Sequence, residues 1–126
     1  MLSQVEMGLT HVTVRIRDLA AANGPYEADF LVNTGAMDSL VPGAELRKIG
    51  VHPVAKTVYE LANGAIEEYE YGLAEISFMG EVTAGRIIFG PDEAEPLLGV
   101  TALESVGITI DPASRRPKRL PAIPLK

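Results

Sequence analysis

The residues with the most chemistry to offer lie together where the chain reads Ala28-Asp29-Phe30-Leu31-Val32-Asn33-Thr34-Gly35-Ala36-Met37-Asp38-Ser39-Leu40-Val41-Pro42. Phe30, Leu31 and Val32 form an apolar, β-favouring run, and Asn33-Thr34-Gly35 ends it with turn chemistry. The run resumes at Leu40-Val41 and is closed by Pro42, so a polar loop is delivered to the interior between two strands that hold it rigidly. That is the layout of a site. Its carboxamide, Asn33, keeps an acceptor oxygen and two donor hydrogens but does not titrate in the working pH range, so it can orient a partner without moving a proton.

Other chemistries are poorly served. Cysteine is absent, which removes disulfides, thiolate metal sites and a thiol nucleophile. His11 and His52 fall on a strand and in a loop with no metal-ligand spacing between them, so both read as solvated or structural and no metal is expected. Ser39 has no histidine base at a suggestive spacing, and neither common phosphate-binding glycine loop is present. No cofactor is expected.

The elements that must position the loop are short strands. Residues 11–17 alternate at period two, with Val12, Val14 and Ile16 on one face, and residues 26–32 return toward Asn33 after the turn residues Asn23-Gly24-Pro25. Gly43 to Ile49 makes a turn or two of helix, with Gly50 in the position just past its end. Residues 56–62 and 65–71 are extended and joined by Asn63-Gly64, the strongest short-range hairpin signal. A second hairpin follows over residues 73–89, turning at Met79-Gly80-Glu81. Leu97-Leu98 is a short buried strand ending at Gly99, and Thr101 with Glu104 reads as a capping box opening a helix that ends at Gly107. Residues 108–110 make one more strand. Beyond Pro112 the basic, proline-rich run Arg115-Arg116-Pro117-Lys118-Arg119 reads as an exposed tail or an edge segment. About seven to nine short strands with two minor helices argue for a small all-β barrel or sandwich.

The chain's 126 residues are a single-domain length, with 113–126 as a distinct proline-rich basic segment. Eleven Lys and Arg stand against 17 Asp and Glu, a net charge of −6, which gives no general electrostatic reason to bind nucleic acid or an anionic membrane. Residues 1–6 have neither a basic start nor a long apolar run, and no apolar stretch approaches the length of a bilayer span. A soluble cytoplasmic protein is the expectation.

The segment from Leu31 to Pro42 resembles the active-site segment of the retropepsin-like aspartic proteases: apolar residues, Asp-Thr-Gly-Ala, a polar pair and a short apolar run. A second signature of that family, two apolar residues and a glycine opening a short helix, has its counterpart in Leu97-Leu98-Gly99 followed by Val100 to Gly107, about 65 residues further on. The resemblance spans roughly Thr10 to Pro112. It departs from the pattern at Asn33, which stands where the family has its catalytic aspartate, and at Met37, where a small or polar residue is usual.

The resemblance implies a closed acid-protease barrel, with the Asn63-Gly64 hairpin as a flap and one short C-terminal helix. It also implies a homodimer acting on extended peptides or proteins, because each chain of this family supplies one of two catalytic carboxylates. Asn33, Thr34 and Gly35 are then the catalytic loop, Thr34 locking the paired loops across a two-fold axis and Gly35 letting substrate backbone approach. Ala36, Asp38, Asn63 and Gly64 are the implied substrate contacts, with Ser39 beside them as a contact or support. Tyr59, Tyr69 and Tyr71 flank the hairpin, with packing expected for at least two of them. Glu60, Glu67, Glu68 and Glu70 make it acidic, which is expected to disfavour acidic peptides. The implied activity is peptide-bond hydrolysis, disabled here by an Asp-to-Asn exchange in a site otherwise of active-enzyme type. The other reading is a natural pseudoprotease that binds peptides or dimerises on the same fold.

Overall fold

The computed structural model describes residues 10–125; the N-terminal segment read above and residue 126 lie outside them. Among the described residues nine strands and two short helices follow in order: β1 (His11–Asp18), β2 (Tyr26–Asn33), β3 (Ser39–Pro42), α1 (Gly43–Lys48), β4 (Ala55–Glu60), β5 (Ile66–Phe78), β6 (Glu81–Gly90), β7 (Leu97–Gly99), α2 (Val100–Ser105), β8 (Ile108–Ile110) and β9 (Pro117–Arg119). Of the barrel and sandwich left open by strand count, the structure takes the barrel. Strands run β1-β2-β7-β3-β6-β5, and β1 pairs with β5 to close the ring. β2–β7 and β3–β6 are parallel, and the other ladders are antiparallel.

Period-two alternation fills the barrel. Val14 and Ile16 of β1 face inward, opposite Phe78 and Ile76 of β5, and all four are buried with Phe30 of β2 and Ile87 of β6. Leu46, Leu103 and Ile108 are buried in the same core. Each such side chain contributes about 1.5–3 kcal/mol by leaving water. Helix α1 ends in a Schellman motif, with Val51 N–H bonding to Leu46 O (3.0 Å), Gly50 N–H to Arg47 O (3.1 Å) and Gly50 at φ +88°.

Several expectations are corrected. Residues 65–71 and 73–78 form one continuous strand, β5, because Gly72 is a point of close packing and not a break. A Cβ there would lie 2.7 Å from the His52 carbonyl oxygen. The turn into β6 is Met79-Gly80, both at positive φ (53° and 78°), as the tight hairpin turn demands. No capping box opens α2. Gly99 is its N-cap, Thr101 lies inside the helix, and no side chain caps it. The first amides are instead satisfied by the site loop, Val100 N–H by Ala36 O (2.8 Å) and Thr101 N–H by Met37 O (3.1 Å). Past Pro112 the chain pairs as an edge strand, β9 against β8, with Pro117 at its first position, where a missing N–H is tolerated. Arg119 ties this hairpin to the Glu81 carboxylate and the Met79 carbonyl.

β4 and the first part of β5, up to Glu70, form a hairpin outside the closed ring. Its loop is not the two-residue Asn-Gly turn expected from sequence. Leu61 and Ala65 pair (Leu61 N–H to Ala65 O, 2.8 Å) around Ala62-Asn63-Gly64, with Gly64 at φ +86°. The register is thereby shifted by one residue, so Tyr59 opposes Glu67 and Thr57 opposes Tyr69. A one-residue shift exchanges the faces of a strand. Tyr59, Glu67, Tyr69 and Tyr71 therefore share one face, while Glu60, Glu68 and Glu70 lie on the other with Val58 and Lys56.

Candidate active site

The polar loop is built over the end of β7. Asn33, the last residue of β2, is in parallel register with Gly99, and Leu40 of β3 pairs with Leu97 from the opposite side. β7 is thus inserted between the two strands that flank the loop. Asn33 Oδ1 accepts from Gly35 N–H at 3.0 Å, and Ala36 N–H donates to Asn33 O at 3.0 Å, so the turn is closed by its own first residue. That bond fixes the orientation of the carboxamide. A carboxylate oxygen would accept the same hydrogen.

The loop's far side is clamped just as firmly. Ser39 is 2% exposed, and its Oγ accepts from Gly99 N–H at 2.9 Å. Gly99 has no room for a side chain, since a Cβ there would fall 2.6 Å from Asp38 C and 2.7 Å from Met37 O. With the helix amides already on Ala36 O and Met37 O, the backbone from 36 to 39 is held at four points. Only Thr34, Gly35 and the Met37 side chain stand exposed.

Asp38 looks away from this clamp, toward the hairpin. Tyr59 Oη–H donates to Asp38 Oδ2 at 2.7 Å, and the Arg86 guanidinium lies over the Tyr71 ring at 4.2 Å. Burial first, then the hydrogen bond to Asp38 and its negative charge, push the Tyr59 phenol up to about 12, against the opposing pull of Arg86. Tyr59 also packs on Tyr69, their rings tilted with centroids 6.2 Å apart. A cavity of about 40 Å³ is lined in part by Asp38, Ser39, Arg86 and Thr101, enough to admit water.

The structure gathers Asn33, Thr34, Gly35, Ala36 and Asp38 into one loop and reaches the hairpin through Tyr59. It does not bring Asn63 and Gly64 into contact with that loop. Asn63 Oδ1 bonds to Ala65 N–H (2.9 Å) within the turn, and nothing lies within 4 Å of a Cβ built on Gly64. Ser39 is a support for Gly99. Sequence reasoning did not single out Gly99 as a contact of the loop, the Tyr59–Asp38 bond, or Arg86. The alternation Thr57, Tyr59 and Tyr69, Tyr71 carries the signal for a shared aromatic face, provided the register is right. Among the described residues no three His, Asp or Glu side chains gather to hold a metal, and no helix is long and apolar enough to cross a membrane. Within the loop itself, Asn33 and Thr34 can bind and orient, but neither exchanges a proton near neutral pH.

No family model and no curated protein matches the chain. Solved structures match its fold. The simian foamy virus (mac) protease superposes with a TM-score of 0.50 at 14% identity, covering 71% of this chain and 87% of that one. The EIAV protease complexed with the inhibitor HBY-793 gives 0.50 at 19% identity, over 79% and 88% of the two chains. The retroviral protease-like domain of Ddi1 from Leishmania major gives 0.51 at 17% identity and 90% coverage of each. At these identities what is shared is the fold.

Proposed function

We propose that this chain, which has the retropepsin-like fold, is one half of an aspartic endopeptidase site that hydrolyses extended peptides as a homodimer and is disabled here by Asn33. The observation that carries the reading is the braced Asn33-Thr34-Gly35 loop at the end of β2, in register with Gly99. Aspartic proteolysis needs two carboxylates sharing one proton, one taking a proton from water while the other donates to the scissile carbonyl. Each chain offers one such position, so two loops must meet about a two-fold axis. In that arrangement Thr34 bonds across the axis, and the exposed Gly35 admits the substrate backbone. Ala36 and Oδ1 of Asp38 contact the peptide, and Asn63-Gly64 covers it. Two carboxamides at the centre keep this groove but neither activate water nor cycle a proton.

A second reading, a natural pseudoprotease that binds peptides or dimerises, rests on Asn33 itself, a carboxamide that does not titrate in the working pH range. The test is Asn33→Asp at mildly acidic pH. Pepstatin-sensitive cleavage of a denatured protein, or self-cleavage, supports the enzyme; a purified aspartate-restored dimer that cuts nothing across a broad peptide library supports the binding module.

A further inference from the structure

We propose that Tyr59 is a positioning residue for the cleft, its hydroxyl latching the base of the β4–β5 hairpin to the site loop so that only the segment 60–66 moves when a peptide enters. The inference rests on the reading of this hairpin as a flap. One end of the latch is immobile, because Asp38 is held against Gly99 and next to buried Ser39, whose Oγ takes the Gly99 amide. Tyr59 Oη–H reaches Asp38 Oδ2 at 2.7 Å across otherwise separate elements. The second strand is anchored four residues nearer the barrel, opposite Ala55, where Arg86 covers Tyr71 at 4.2 Å and Val54 N–H donates to Tyr71 O at 2.8 Å.

Beyond these anchors the hairpin is on its own. β6 accompanies β5 only from Tyr71 onward, so residues 55–70 form a two-stranded ribbon. A lone hairpin is marginally stable in water. From Glu60 to Glu68 every residue but Leu61 is exposed, and the hydrogen bonds at the tip close only on the turn itself. The latch therefore marks the boundary between clamped base and mobile tip. It also ties the tip to the site, since Asp38 belongs to the loop that begins at Asn33. With Oδ2 engaged by Tyr59, a ligand at this end of the cleft meets the Tyr59–Tyr69 rings and the other carboxylate oxygen of Asp38.

Amide hydrogen exchange on the free protein tests this, comparing wild type with Tyr59→Phe, Asp38→Ala and Asp38→Asn. Loss of one charge-assisted bond should speed exchange of the 57–60 and 66–69 ladder amides about tenfold in Tyr59→Phe and Asp38→Ala. Amides 74–77, in the closed barrel, should keep their rates. Asp38→Asn retains an acceptor oxygen but not its charge and should exchange about threefold faster than wild type, between wild type and Asp38→Ala. The double variant Tyr59→Phe/Asp38→Ala should exchange no faster than either single one. Unchanged hairpin exchange in Tyr59→Phe, or acceleration of all amides by one common factor, would overturn the proposal. Exchange is read without ligand, so its outcome is separate from the cleavage assay that decides the proposed function.

Discussion

Asn33 offers Gly35 an oxygen that an aspartate would offer equally well, so restoring the acid leaves the loop's own bonding intact. Asn33→Asp should shift the chemical-denaturation stability by less than about 1 kcal/mol, while Ser39→Ala should cost about 1–3 kcal/mol by orphaning the buried Gly99 amide. Urea titrations of the two variants check both; a Ser39→Ala protein as stable as wild type would mean that Gly99 N–H finds another acceptor. The difference between these residues is also a difference in legibility. Asn33-Thr34-Gly35 is readable because turn chemistry is local, an Asx bond spanning two residues. Ser39 and Gly99 meet across 60 residues of chain, and no local pattern announces a hydroxyl that serves an amide so distant.

At the scale of elements, the hairpin shows how much depends on one residue of register. The Asn63-Gly64 signal locates the turn, but the three-residue loop turns Glu68 and Glu70 to the outer face and leaves Glu67 with the tyrosines. Repulsion of acidic peptides should therefore depend on Glu67. Glu67→Gln should relieve it and Glu68→Gln should not, as read by binding of matched acidic and neutral peptides. The Tyr59 phenol supplies a pH test of the hairpin base. Its pKa rises from 10.0 to about 12 on folding, so the folded chain holds that proton more tightly than the unfolded one. The associated stability is complete below pH 10, declines between 10 and 12, and is gone above. Tyr59→Phe should flatten that part of the wild-type decline in urea midpoints; parallel curves for the two proteins would contradict the assignment. The capping box at Thr101 misreads for a related reason: backbone carbonyls from a remote loop had already taken the helix amides.

For the whole molecule, alternation in β1 and β5 made the barrel's inner face readable, whereas closure through β1–β5 depends on a pairing of distant strands that periodicity does not encode. Phe30, fully buried where β2 approaches the loop, ties core to site; Phe30→Ala should lower stability by about 3–5 kcal/mol. The proposed function goes one step further and requires two copies. Sedimentation should show a dimer, and monomer alone up to high micromolar concentration would remove the shared site. The central claim, that one active site needs an aspartate from each of two chains, is tested most directly by mixing Asn33→Asp protein with the Asn33 chain and following cleavage at mildly acidic pH. If chains exchange freely, an equal mixture contains only about a quarter of its dimers with two aspartates, so activity per aspartate chain should fall to about half. Activity per aspartate chain that stays constant as Asn33 chain is added, or no cleavage by Asn33→Asp protein at all, would contradict the account.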